Sequence, residues 1–461
     1  MSGSYSQPSP AELTSPAAWA LVEDKFSPFA KNLLANLIEF VFDECIPREH
    51  LYHAQLPETT ALGRWKTVIP VMEELKEKAK ARGLWNLFLS KASYKEGVAL
   101  TNLEYAVMCE IMGRSPHLAP QATNCAAPDT GNMELLAKYA SQEQKDKWLT
   151  PLMEGKIRSS FSMTEFGVAS SDARNIRTHI RQEGDQIVIN GHKWWISGAG
   201  DPRNRLHLLM GQSAPETGAR STSLHSIVII PSDTPGVKIV RPMKVMGYDD
   251  APEGHCEVIY DNVRVPLSNL VGGWGRGFEI IQGRLGPGRI HHCMRSIGTA
   301  ARSLDLMVER VTDPKRRTFG KMLVEHGTVL SDIARSRAEL ESSRLLVLAA
   351  AHQIDKVGAK GAMKEIGIAK FTVPSMALQV VDRAMQAFGA EGISQDAPLA
   401  YFYAGLRTLR YADGPDEVHI QQIGKTESKR SQTELAPRNE RIRQREAQFI
   451  KESGIEIKAK L

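Results

Sequence analysis

Phe161 to Asp172 reads FSMTEFGVASSD, and Asn190 to Gly200 follows as NGHKWWISGAG. The first stretch offers backbone N–H groups and small hydroxyls in a loop at the edge of a β-rich region. The second sets Trp194 and Trp195 on a strand, with Ser197 just beyond. Its Asn190-Gly191 pair has the composition of a hairpin turn between apolar-rich arms. Taken alone, the two read as a Ser/Gly-rich loop and a pair of core tryptophans. Their neighbours change that reading.

Around them, residues 156–272 keep a short period of strands and turns. HSIVIIPSDTPGVKIV and HCEVIYDNVRVP are β-branched runs closed by proline or Asp/Asn turns. Upstream, residues 25–155 are helical in pattern: Leu33, Leu34, Leu37, Ile38 and Val41 repeat at helical spacing, and SQEQKDKWL alternates charge with apolar anchors. Downstream, residues 273–430 return to the helical period, with Leu330, Ala334, Ala338, Leu345 and Ala349 marking one face of a long helix. Residues 1–24 read as an N-terminal extension. Residues 431–461, with RNERIRQREAQFIKE, read as a charged solvated helix or tail. The expected fold is mainly α with a central β domain.

The bulk numbers narrow the class. A chain of 461 residues holds about two to three domains. With 58 Lys+Arg against 53 Asp+Glu the net charge is +5, too small and too spread out for a nucleic-acid surface. The 5 cysteines are widely spaced and contain no C-x-x-C, which favours reduced thiols. No run is long enough to span a membrane; the longest apolar run is Leu345 to Ala351. The first residues show neither a secretory signal nor an Arg-rich transit peptide. The final Ala459-Lys460-Leu461 is a variant of the S-K-L peroxisomal address, with a mitochondrial or cytoplasmic location as alternatives.

One further stretch carries candidate chemistry. Tyr411 to His419 reads YADGPDEVH, with Asp413, Asp416 and Glu417 around a Gly-Pro. With Gly414 as N-cap, Pro415 takes the first helical position, and Asp416 and Glu417 fall in the first turn, where the helix dipole favours them. Glu417 is placed to reach back toward the cap, and Gly424 to stop the helix. Asp413 lies outside the helix and has no such structural task. No His/Cys spacing matches a metal site, neither His50 with His53 nor His291-His292-Cys293. GWGRGF (Gly273 to Phe278) lacks the third glycine of a dinucleotide fingerprint and reads as a turn before a helix. No G-x-S-x-G is present.

In order along the chain, FSMTE with its following serines, KWWIS, RRTFGKMLVEH (Arg316 to His326), QAFGAEGIS (Gln386 to Ser394) and YADGPDEVH resemble segments of the acyl-CoA dehydrogenase family, over residues 25–430. The branch most similar is the dehydrogenase half of mammalian family members 10 and 11. The resemblance implies an N-terminal helical domain, a barrel-like β middle domain and a C-terminal four-helix bundle. It implies FAD, an acyl-CoA substrate, electron-transfer flavoprotein or O₂ as acceptor, and a homodimer or homotetramer. Phe161, Met163, Thr164, Trp195, Ile196, Ser197 and Gly414 fall at flavin-facing positions. Arg316, Thr318, Phe319, Gln386 and Gly389 fall where the family holds the FAD diphosphate and adenosine, partly across a subunit interface. Ser171 and Arg289 fall at substrate-binding positions.

The implied reaction is α,β-dehydrogenation within fatty-acid β-oxidation: Asp413 takes the α-proton and the β-hydrogen leaves as hydride to flavin N5. Such chemistry needs a base, stabilisation of enolate-like charge and an oxidant in a dry slot. An Asp starts near pKa ~3.9, and water exclusion would raise it. Several positions depart from the family. Asp413 replaces the usual Glu, and Gly288 occupies the alternative base position of a minority of members. Gly286 replaces an acid, implying a changed acyl pocket. Phe166 replaces a proline in a loop with one extra residue, and Gly327 replaces a glutamine near the adenine. Nitroalkane oxidase, which also uses Asp, needs an arginine where Ile420 stands. An acyl-CoA oxidase passing electrons to O₂ is the main alternative, and a flavin-containing nucleic-acid or scaffold protein a more distant one.

Overall fold

The computed structural model describes residues 7–57, 61–213 and 223–455, with the backbone alone described at 61–62 and 284–287. Gly286 and the terminal Ala459-Lys460-Leu461 therefore lie outside what is described. The N-terminal helices include α1 (Pro28–Glu39), α2 (Pro70–Ala81), α3 (Asn102–Gly113) and α4 (Asp129–Tyr139). Ser27 caps α1 by accepting the Ala30 N–H, and Pro28 sits at its first position without an orphaned donor. Leu33, Leu34, Leu37, Ile38 and Val41 are all buried, as their spacing predicts. The sequence reading places residues 1–24 in an extension that stops short of Phe26. Leu13, Ala18, Val22 and Phe26 instead all pack into the same core, because each carries an apolar side chain with a helical surface to cover.

The middle of the chain forms an eight-stranded sheet: β1 (Arg158–Ser162), β2 (His179–Glu183), β3 (Gln186–Ser197), β4 (Asn204–Gln212), β5 (His225–Pro231), β6 (Val237–Pro242), β7 (His255–Pro266) and β8 (Leu270–Val271). The spatial order is β6-β7-β3-β2-β4-β5-β8, with β1 parallel to β4. Asn190-Gly191 is not a hairpin turn. β3 runs straight through it, and the extra residue belongs to β7, where Asp261-Asn262 bulge opposite Asn190. The Asn190 side chain accepts the Asn262 N–H at 2.8 Å, so the asparagine serves the bulge rather than a turn. The hairpin lies earlier, at Gly184-Asp185, where Gly184 has φ +62°.

The helical period then resumes with α5 (Gly277–Thr312), a small hairpin of β9 (Arg317–Thr318) and β10 (Lys321–Met322), α6 (Gly327–Gly361), α7 (Met363–Phe388), α8 (Leu399–Thr408), α9 (Asp416–Arg430) and α10 (Ala436–Ser453). GWGRGF is the turn that enters α5. α5, α6, α8 and α9 pack around α7 as a bundle. The repeat Leu330, Ala334, Ala338, Leu345 and Ala349 does lie on one face of α6, but that face points outward, with Leu330 52% and Leu345 43% exposed. The inward face carries Leu340, Val347, Leu348, Ala351 and the buried Arg344. Arg344 donates to Glu110 of α3 through Nε at 3.0 Å and Nη2 at 2.8 Å, tying the two helical regions together. No helix among the described residues is long and apolar enough to cross a membrane.

Candidate functional site

Between α8 and α9 the chain makes a tight turn. Tyr411 and Ala412 both donate to the Thr408 carbonyl at 3.0 Å, and Asp416 N–H donates to the Arg410 carbonyl at 3.2 Å. Two successive residues then take left-handed backbone, Asp413 at φ +57° and Gly414 at φ +108°. A Cβ on Gly414 would lie 2.8 Å from His419 Nε2, so only glycine fits there. Pro415, not Gly414, is the N-cap of α9, because the second left-handed residue delays helical geometry by one position. Glu417 makes no capping bond. Asp416 is the buried acid and accepts from Arg410 Nε at 2.6 Å. Gly424 does not end α9, which continues to Arg430. Pairs of Glu427 with Lys364 and Arg430 offset part of the modest cost of a glycine inside a helix.

Two buried cations hold this turn from behind. Arg289 of α5 donates through Nε to the Asp413 carbonyl at 3.0 Å, and Lys370 of α7 donates to the Leu409 carbonyl. Burial lowers both from their ordinary pKa values. Arg289 was expected to bind substrate. The residue is only 6% exposed and its Nε is engaged by the backbone of residue 413, so its contacts are those of a positioning residue. The Asp413 side chain is 21% exposed, shielded but accessible, with Oδ2 at 3.5 Å from His292 Nε2. A Cβ built on Gly288 would lie 4.0 Å from the same oxygen, so the two alternative base positions converge on one place.

His292 also lines a cavity of about 260 Å³. Its walls come from α5 (Ser296, Thr299), α8 (Phe402, Leu406) and a loop after β6 that carries Val245 and Tyr248. The far end is polar. Tyr401 and His117 share a hydrogen bond of 2.6 Å, and Asp250 lies beside Tyr401. Burial raises the Asp250 carboxyl to about 6 and depresses His117 to about 3. An acid raised in the folded state binds more protons there than in the unfolded chain, so its ionisation costs stability as pH rises from the ordinary ~3.9 toward 6. Asp250→Asn is therefore expected to melt closer to wild type at pH 4 and above it at pH 7.5. Equal melting differences at both pH values, by scanning calorimetry, would remove this account.

The same loop leads to the second group. Met243 Sδ accepts the Trp195 N–H at 3.4 Å. Trp195 has φ +57° at a register irregularity of β3, and its indole is 38% exposed. Neither tryptophan is core: Phe166 stacks on His192 and meets Trp194 edge-on at 4.9 Å. Met163 and Thr164 are half-buried beside this strand, with the Trp194 N–H donating to the Thr164 carbonyl at 3.1 Å. Phe161 sits on β1 opposite Leu208. Ile196 is 1% exposed inside the sheet's core, so its backbone is the part that can face a ligand. Ser197 Oγ lies 2.8 Å from His255 Nδ1, a neighbour the sequence did not suggest. Ser170 Oγ accepts the Glu165 N–H and so holds the loop, while Ser171 is exposed.

Beneath this loop lies a buried ion pair. Lys193 Nζ donates to Glu165 Oε1 at 2.8 Å, to the Met163 carbonyl at 2.7 Å and to the Met210 carbonyl at 2.8 Å. Glu165 also accepts the Arg177 and Thr178 N–H groups at 2.8 and 2.7 Å. Burial brings Lys193 down to about 8. A third group gathers at the exposed β9–β10 edge: Arg316 and Arg310 both approach Glu391, which joins the hairpin to the turn after Gln386 and Gly389. Phe319, at φ +52°, is 95% exposed.

Models of the acyl-CoA dehydrogenase N-terminal, middle and C-terminal domains match residues 36–156, 160–263 and 275–427 in turn. Mouse acyl-CoA dehydrogenase family member 10 is 52% identical over 418 residues, which is 89% of this chain and 38% of that protein. FadE2 of Mycobacterium tuberculosis is 52% identical over 370 residues, 80% of this chain and 88% of that one. A solved family structure from Mycobacterium abscessus superposes with a TM-score of 0.83 at 46% identity, over 88% of this chain and 99% of the other. Three domain models in sequence, together with relatives at this identity, make the chain a member of the acyl-CoA dehydrogenase family.

Proposed function

We propose that this chain is an FAD-dependent acyl-CoA dehydrogenase of fatty-acid β-oxidation, with Asp413 as the base. The observation that carries the reading is the Asp413 carboxylate: it is largely shielded, its backbone is fixed by Arg289, and its Oδ2 lies 3.5 Å from His292, which lines a cavity of about 260 Å³. Bound in that cavity, a thioester would present its α-carbon to a carboxylate whose position is set before substrate arrives. When bound, FAD supplies the acceptor for the β-hydrogen.

The residues present suit such a cofactor. The left-handed backbone at Trp195 turns a large flat indole outward, as an isoalloxazine wall requires. Thr164 and Ser197 offer polar atoms along the same strand region, and Phe161, Met163 and the backbone of Ile196 complete it. Gly414 allows close approach at the turn. Arg316, Thr318, Phe319, Gln386 and Gly389 form the proposed diphosphate and adenosine end. Their exposure in one chain, with the outward apolar stripe of α6, favours completion by a second subunit in a homodimer or homotetramer. Light scattering on the purified protein tests that assembly, and a value of one chain mass would end it. Ser171 is the proposed substrate hydroxyl.

The decisive experiment is anaerobic addition of straight, branched and hydroxylated acyl-CoAs to the purified yellow protein. Loss of flavin absorbance with at least one member is expected; no bleaching with any of them would reject the reading. Peroxide formation in air, compared with reduction of an artificial dye, separates O₂ from electron-transfer flavoprotein as acceptor. Imaging of a fusion that keeps Ala459-Lys460-Leu461 free, with and without those residues, tests the peroxisomal address.

A further inference from the structure

We infer that His292 acts through Asp413 as a proton relay, carrying the substrate's α-proton out of the cavity after the carboxylate has taken it; this rests on the proposed dehydrogenase reading. Two features of α5 converge on one residue. Arg289 fixes the backbone carbonyl of Asp413 at 3.0 Å, and one turn later His292 presents Nε2 to its Oδ2 at 3.5 Å. Side chains three apart on a helix share a face, so this pairing follows from the spacing. The neighbouring His291 points away and packs edge-on against Tyr105 in the interior. His292 and Asp413 have equal exposure, 21%, and His292 alone of the two histidines lines the cavity.

The chemistry needs an exit for that proton. Each turnover breaks a Cα–H bond and forms an O–H bond on Asp413, and a carboxyl that keeps that proton is no longer a base. Passing it on breaks the O–H bond and forms N–H on His292 Nε2. The imidazolium, paired with the regenerated carboxylate, then releases the proton to solvent, and nothing is oxidised or reduced. A separation of 3.5 Å exceeds a hydrogen bond by a few tenths of an ångström, and such contacts commonly tighten when substrate binds. The charged and titratable groups around the pair are Arg289, Cys293 and Arg295 on α5, Lys370 on α7 and Asp416 and His419 on α9. His117 and Asp250 stand on the far wall.

The test pairs His292→Phe with His292→Ala, both checked for FAD absorbance and melting temperature. Steady-state turnover should fall about ten-fold or more in both, by more than first-pass flavin bleaching falls, and added imidazole should restore the alanine variant alone. Turnover of the phenylalanine variant at the wild-type rate overturns the relay. A second readout needs no turnover: with histidine-selective ¹³C labelling, the His292 ring signal should titrate at a different pH in Asp413→Asn than in wild type. An unmoved titration overturns the pairing. Should no acyl-CoA bleach the wild type, the proposed function falls, and the titration alone decides whether the two groups are coupled.

Discussion

Asp413→Asn is expected to keep its FAD and its melting temperature while losing bleaching by acyl-CoA, with a rate at least about 10²–10⁴-fold below wild type. Asparagine has nearly the same shape and tolerates left-handed backbone as well as aspartate does, so the turn at φ +57° should persist. Arg289 binds the backbone carbonyl, which the substitution leaves in place. What disappears is the carboxylate proposed as the base, next to His292. Stopped-flow absorbance under nitrogen reads this directly. Full bleaching at an undiminished rate would take the role of base away from Asp413.

The second large effect concerns stability. Lys193→Met should remove the cation from a pair in which Lys193 is fully buried and Glu165 is 5% exposed, leaving a buried carboxylate without its counter-charge. Breaking a buried pair from one side typically costs about 3–5 kcal/mol. For a protein of this size that corresponds to a fall in Tm on the order of 3–5 °C. Two chain segments meet at Lys193 Nζ, the loop through the Met163 carbonyl and the Glu165 carboxylate and β4 through the Met210 carbonyl, so the loop 163–171 should loosen and FAD should be retained less well. The double variant Lys193→Met with Glu165→Met should recover part of the loss, because no charge is then stranded. A single variant melting within about a degree of wild type would show that the pair is not what holds the loop.

The parts of the fold that were legible in the sequence are those where local chemistry and tertiary demand agree. Leu33 to Val41 and the β-branched runs near 225–266 formed the elements their spacing implies. Asn190-Gly191 misled because a bulge and a hairpin draw on the same residue types, and only the partner strand distinguishes them. The apolar repeat of α6 located a helix and a face, but a period carries no information on which side the core lies. At the site, Asp413 stood out because nothing local explained it. His292 does not, because His291-His292-Cys293 offers only the pattern of a metal cluster. Its one visible signal was a spacing of three from Arg289. Lys370 and Arg289 act on carbonyls distant in sequence, and no local pattern announces such contacts.

The twisted backbone at Asp413 bears on why this acid is short. Residues that carry a side chain rarely accept φ near +57°, and aspartate and asparagine are the ones that do so at least strain. A glutamate at the same point would carry more torsional strain and would extend its carboxylate a methylene further, toward His292 and Gly288. Reach and torsion are thus set jointly: the coil of the main chain brings the shorter arm to its working distance, and the shorter arm is the one this coil admits.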